Sequence, residues 1–199
     1  MPTVPGLPFP VALAAPTVSP PPFPGGPQRA TRTLYRLSLS KVGGDDLLSL
    51  PMESLECRRR LGASTWLAVT VPAVESALLA AINARNGGEI VVYSGTETAM
   101  GEFLRATVTN IAVDDSRFNR VVILTGRVIP TPFDAASYDL TAVSMRGKLS
   151  GTRIAVCAVD PRIRPNDTVF DGAESWIAGM ITYRIAPNSG TMRITEAQP

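Results

Sequence analysis

Two pairs of adjacent carboxylates, Asp45-Asp46 and Asp114-Asp115, are the residues of this chain best suited by type to acid–base or metal chemistry. Each pair sits in a turn-forming stretch, GGDD or DDSRFN, where neighbouring side chains diverge and aspartate bonds to its own backbone. A calcium loop needs several oxygen ligands at alternating positions and a closing glutamate, which DDSRFN lacks. Histidine is absent, which removes the commonest general base and metal ligand together. No G-x-S-x-G elbow, phosphate-binding loop or G-x-G-x-x-G occurs. A glycosidase pair of carboxylates can assemble from distant residues, but no local feature favours one. The expectation is no catalytic residue, no metal site and no cofactor.

The two thiols, Cys57 and Cys157, lie in strand-like runs, LECRRRL and IAVCAVD, where a buried cysteine acts as a small apolar residue. Two cysteines in 199 residues make no disulfide framework, and they fit folding in a reducing cytoplasm. Arg58-Arg59-Arg60 is the one dense basic spot. In a strand, alternation places Arg58 and Arg60 on one face and Arg59 on the other. Such arginines serve as a solvated face, as salt bridges across a subunit contact, or as a contact for a polyanion. Trp66 and Trp176 each fall in an alternating run and are expected to anchor the core.

The first 28 residues differ from the rest: ten are proline and none is charged. Prolines every few residues exclude a membrane-spanning helix, and the missing basic region and short apolar runs fit a secretory signal poorly. The segment reads as a stiff, extended, polyproline-type arm carrying apolar pegs, among them Phe9, Val11, Leu13 and Phe23. Such an arm loses little conformational entropy on docking, so it is expected to lie across a neighbouring subunit.

Beyond Arg29 the chain turns to short alternating runs separated by turn residues, the pattern of antiparallel sheet. RTLYRLSLSKV sets Tyr35, Leu37 and Leu39 on one face, and STWLAVTVP does the same for Leu67, Val69 and Val71. One helix is expected near residues 73–85, with Pro72 suited to its first turn and Asn86-Gly87-Gly88 to its end. It would plug one end of a barrel or cover a sheet edge. Strands resume with EIVVYSG, FLRATVTNIAV and RVVILTGRV, and IPTPFDAAS marks a candidate boundary near residue 130. The predicted fold is all-β, a mainly antiparallel barrel or sandwich with one flanking helix. Its expected segments are the arm (1–30), a barrel (31–130) and a second β module or continuation of the barrel (131–199). Acids and bases nearly balance at a net charge of +2, and nothing approaches eighteen consecutive apolar residues, so no membrane insertion is expected.

RLSLSKVGGDDLLSLPMESLECRRRLGASTWLAVTVP, with the short helix, GGEIVVYSG and FLRATVTNIAVDDSRFNRVVILTGR, resembles the opening tube-like domain of tail-tip and baseplate hub proteins of tailed bacteriophages. The later DPRIRPNDTVFDGAESWIAGMITYRIAPNSGTMRITEA is similar to a closing β module of that family, in which an R-P-x-D-x-V turn leads into a hairpin. The resemblance implies a non-enzymatic structural subunit of the virion tail, assembled in the host bacterial cytoplasm. It further implies a homo-oligomeric ring, a trimer or a hexamer, that contacts neighbouring tail proteins and lets DNA pass through its lumen without specific binding. A distal tail, tube or terminator subunit falls within the same class. The rival readings are a nucleic-acid-binding barrel using Arg58 to Arg60, and a sugar-binding module using Trp176 or Tyr183. Family hubs are usually longer than this chain, and the proline-rich arm is not a standard part of them.

Overall fold

A computed structural model describes residues 33–44, 46–116, 119–129 and 133–198. The arm, with Phe9, Val11, Leu13 and Phe23, lies outside the described residues, as does Asp45.

Alternation along the first run forms β1 (Leu34–Leu39), from which Tyr35, Leu37 and Leu39 all turn inward. β2 (Leu48–Leu50) folds back on it. β3 (Ser54–Arg60) and β4 (Thr65–Val71) form a hairpin that buries Leu55, Cys57, Leu67, Val69 and Val71 on one side. After the helix come β5 (Glu89–Gly95), the long β6 (Met100–Asp114) and β7 (Val121–Val128). The remaining strands are β8 (Ser137–Asp139), β9 (Met145–Leu149), β10 (Thr152–Cys157), β11 (Thr168–Asp171), β12 (Glu174–Ala186) and β13 (Ser189–Glu196). The protein is all-β with mainly antiparallel pairing; among the described residues, β8 with β11 is the one parallel pair.

The strand order is β2-β1-β5-β6-β7-β4-β3-β12-β13-β10-β9, with β11 and β8 attached beside β12. β12 therefore joins the later strands directly to β3. The sheet curls on itself: the Tyr35 N–H donates to the Pro187 carbonyl in the β12–β13 turn at 3.0 Å. Inside, Tyr35, Phe103 and Tyr183 meet edge to face, with centroids 6.1 and 5.5 Å apart, a geometry favoured by the ring quadrupoles. This aromatic series ties β1, β6 and β12 together across one core.

The helix, α1 (Ser76–Asn83), begins later than the apolar spacing suggests. Pro72 does not enter its first turn, because Ala73 adopts a φ of 51°, outside helical geometry. Val74 is buried ahead of the helix, its N–H held by the Arg120 carbonyl at 3.0 Å. Ile82 is fully buried, and Leu78 and Leu79 pack on the same core. The chain leaves through Gly87 at φ 78°. A Cβ on Gly88 would come within 2.0 Å of the Ser40 carbonyl oxygen, so the exit is fixed by close backbone approach. No helix among the described residues is long and apolar enough to cross a membrane.

Candidate functional site

The period of two along β3 separates the three arginines. Arg59 turns to the barrel interior, while Arg58 and Arg60 are exposed on the outer face. Pairing across the sheet then sets residues from five further strands beside Arg58. Thr107 of β6, Arg127 of β7, Trp66 of β4, Arg58 of β3, Thr182 of β12 and Arg193 of β13 are direct register partners in one continuous row. In the next row Arg184 of β12 stands opposite Glu56 of β3, and on the other side Arg60 stands opposite Met180. One outer face thus presents Arg58, Arg60, Arg127, Arg184 and Arg193.

Arg58 covers the indole of Trp66, its Cζ 5.5 Å from the ring centroid, and pairs with Glu56 at 2.7 Å. Arg60, Arg127, Arg184 and Arg193 are exposed and make no ion pair among the described residues. Guanidinium groups are always charged and only donate hydrogen bonds, so this face can bind anions but cannot move a proton at neutral pH. The core expectation holds for Trp176, which is 7% exposed. It does not hold for Trp66: alternation with Leu67 sends its ring outward, where it lies half-buried under Arg58.

Arg59 has a different role. It stacks over the Tyr183 ring at 5.1 Å and donates to the Tyr183 hydroxyl at 3.3 Å and the Pro161 carbonyl at 3.1 Å. The Tyr183 hydroxyl donates in turn to the Ile163 carbonyl at 3.2 Å, and burial raises its pKa well above the phenol range. Beside it opens a cleft of about 420 Å3 whose lining includes Arg59, Arg60, Leu61, Phe103, Phe133 and Arg164. Arg164 stacks on Phe133 at 4.7 Å. The buried Asp167 carboxylate organises this mouth by accepting from the Ala136 and Arg164 N–H groups at 2.9 and 2.6 Å.

The groups singled out for chemistry that lie among the described residues are engaged structurally. Asp46 bridges Lys41 and Arg85 at 2.8 and 2.9 Å, Asp114 accepts from the Ser116 N–H at 3.0 Å, and Asp115 pairs with Arg120 at 2.7 Å. Cys57 and Cys157 are both free and buried, and desolvation pushes each thiol up to about 11, away from the thiolate that a nucleophile needs. Among the described residues no three Cys, Asp or Glu side chains converge as metal ligands.

No protein-family model matches the chain, and no curated protein matches it. Solved structures do match in shape. A tail protein from Neisseria meningitidis MC58 has a TM-score of 0.52 at 6% identity, covering 83% of this chain and 97% of that one. The 43 kDa tail protein of prophage MuSo2 from Shewanella oneidensis scores 0.48 at 9% identity, over 82% and 97% of the two chains. An Escherichia coli component of the type VI secretion system, described as similar to T4 bacteriophage tail proteins, scores 0.48 at 7% identity, over 75% and 76%. This chain shares its fold with a tail protein. Of the three, the Neisseria structure is near enough in shape to carry an argument, and what it carries is the fold.

Sequence reasoning located Arg58 and Arg60 and their common face, but missed Arg127, Arg184 and Arg193. Each of those sits at a polar position of its own alternating strand, and only the register between strands makes them neighbours.

Proposed function

We propose that this chain is a non-enzymatic structural component of a phage tail, acting at the tail tip or baseplate hub as a homo-oligomeric ring that joins the tail tube to tip proteins. The carrying observation is the shared fold with the Neisseria tail protein, which extends over 97% of that chain. Residues 31–130 supply the tube-like barrel, and residues 131–199 continue it through β12.

Open sheet edges support the reading. β2 and β9 end the strand order, and all five residues of β9 are exposed, Met145 and Leu149 among them. An uncovered edge invites pairing with another chain, and a ring of copies covers it. The arm adds a second tie, with Phe9, Val11, Leu13 and Phe23 docking on the next protomer. Assembly takes place in the host cytoplasm and the product is carried in the virion.

Mass photometry of the full chain and of a form lacking residues 1–28 tests the proposal. The full chain is expected to populate trimers or hexamers, and the truncated chain smaller species. A strictly monomeric full chain at high concentration overturns the ring; a ring that survives truncation removes the arm's part in it.

A further inference from the structure

We infer that the outer face of β7, β4, β3, β12 and β13 is a binding surface for the phosphate backbone of duplex DNA. It carries Arg127, Arg58, Arg60, Arg184 and Arg193 against a single acid, Glu56. This deepens the tail reading by assigning the face that meets the DNA.

The charge is uncompensated by design of the pairing. Elsewhere in the described structure most arginines find carboxylates, Arg105 with Glu89 and Glu102, Arg120 with Asp115, Arg146 with Asp171 and Arg162 with Asp160 among them, while Arg36, Arg59 and Arg164 do not. On this face four of five arginines have no such partner. Trp66 and Thr182 stand between these arginines in the row, so no two are direct register partners, yet five gathered within two residues of one row against one acid give the face a positive potential suited to a polyanion.

Dimensions favour a duplex. Strands lie about 4.8 Å apart, so the four steps from β7 to β13 span roughly 19 Å. Duplex DNA presents a charge every ~1.7 Å of axis, or about eleven phosphates over that length, of which one side can touch the sheet. A surface five strands wide is too broad for a groove, so it meets the backbone and reads no sequence. Single strands are a poorer match, because Trp66 is the one aromatic in the row and Arg58 already covers its face. A second copy of the chain is also poorly matched, since most of its described carboxylates are already engaged by its own arginines or N–H groups.

The test is fluorescence anisotropy of a labelled 30-base-pair duplex titrated with the full chain from 50 to 200 mM NaCl. Binding of any duplex sequence is expected, with a log–log salt slope of about −2.7 to −3.6 for three to four neutralised phosphates. The triple change Arg127→Gln, Arg184→Gln and Arg193→Gln should weaken binding at 50 mM salt at least tenfold and flatten the slope by two or more. Arg36→Gln, on β1 away from this face, should leave both unchanged. Thermal melting checks that the triple variant folds; should it not, Arg127→Gln and Arg193→Gln are read singly. No binding at 50 mM salt, binding indifferent to the arginine changes, or displacement by poly-glutamate as readily as by unlabelled duplex each overturns the inference. The titration needs no ring, and mass photometry needs no DNA, so the two readings fail separately.

Discussion

Arg58 and Trp66 are register partners across the β3–β4 hairpin, and the guanidinium lies over the indole with Cζ 5.5 Å from the ring centroid. A cation so placed on a solvent-facing ring contributes about 0.5–1 kcal/mol. It also shields the ring from water. In a Trp176→Phe background, where Trp66 alone fluoresces, Arg58→Ala is therefore expected to red-shift the emission and to raise quenching by acrylamide. An unchanged spectrum would mean that Arg58 does not rest on the indole in solution.

Tyr183 is fully buried and its hydroxyl both donates to the Ile163 carbonyl and accepts from Arg59. Tyr183→Phe keeps the ring and leaves Arg59 its bond to the Pro161 carbonyl, but takes the side-chain donor from the Ile163 carbonyl, so a loss of about 1–2 kcal/mol is expected. Tyr183→Ala also removes the edge-to-face contact with Phe103 and opens a cavity, for roughly 3–5 kcal/mol. Urea unfolding of the two variants separates the hydroxyl from the ring; equal losses would assign everything to packing.

What the sequence discloses here is local. Period-two alternation was enough to orient Tyr35, Leu37 and Leu39 on β1, and Leu67, Val69 and Val71 on β4, because a half-buried strand has no other way to satisfy both faces. It also split Arg59 from Arg58 and Arg60. The late helix start was not legible, since Ala73 leaves helical geometry while the chain still matches the helical pattern. Nor was the arginine face. Arg58 and Arg193 share a row because β12 lies between β3 and β13, a long-range pairing that no short window of sequence contains.

Gly179 sits at the register shift in β12, where a Cβ would lie 2.6 Å from the Ala197 Cα and 2.8 Å from its nitrogen. These are backbone atoms and cannot swing aside. Gly179→Ala is expected to destabilise by about 1–3 kcal/mol, the range for an overpacked site, and to displace the end of β13. Hydrogen exchange should localise the change to residues around Glu196 and Ala197. Wild-type stability in this variant would show that the C-terminal strand end is not held against Gly179.

Burial pushes the Cys57 thiol up to about 11, so the folded state holds that proton more tightly than the unfolded chain, whose thiol ionises near 8.5–9. Between those values the unfolded state binds fewer protons, and stability must fall as pH rises. The contribution is fully present below pH ~8.5 and is lost as pH climbs through 11. Denaturant midpoints measured from pH 8 to 11 should decline, and Cys57→Ala should lessen the slope. At pH 8 a thiol reagent should react with neither cysteine until the protein unfolds; rapid labelling of native protein would contradict the burial of both.

Asp46 holds the β1–β2 connection to the end of the helix by bonding Lys41 and Arg85 together. Hydrogen bonding from Lys41, followed by Arg85, keeps its carboxyl below the ordinary aspartate range. Arg85 is only 8% exposed and its Nε has no partner, so Asp46 is the sole acid offsetting its charge among the described contacts. A depressed carboxylate stabilises the fold above its unfolded pKa and ceases to do so as pH falls through its folded one. Asp46→Asn should therefore lower the melting temperature at pH 7, and the gap between variant and wild type should begin to shrink as pH drops toward 3.8 and close only once pH has fallen through the depressed folded value. A pH-independent gap would mean that the lost interaction is packing and not charge, and would free Arg85 from any dependence on this loop.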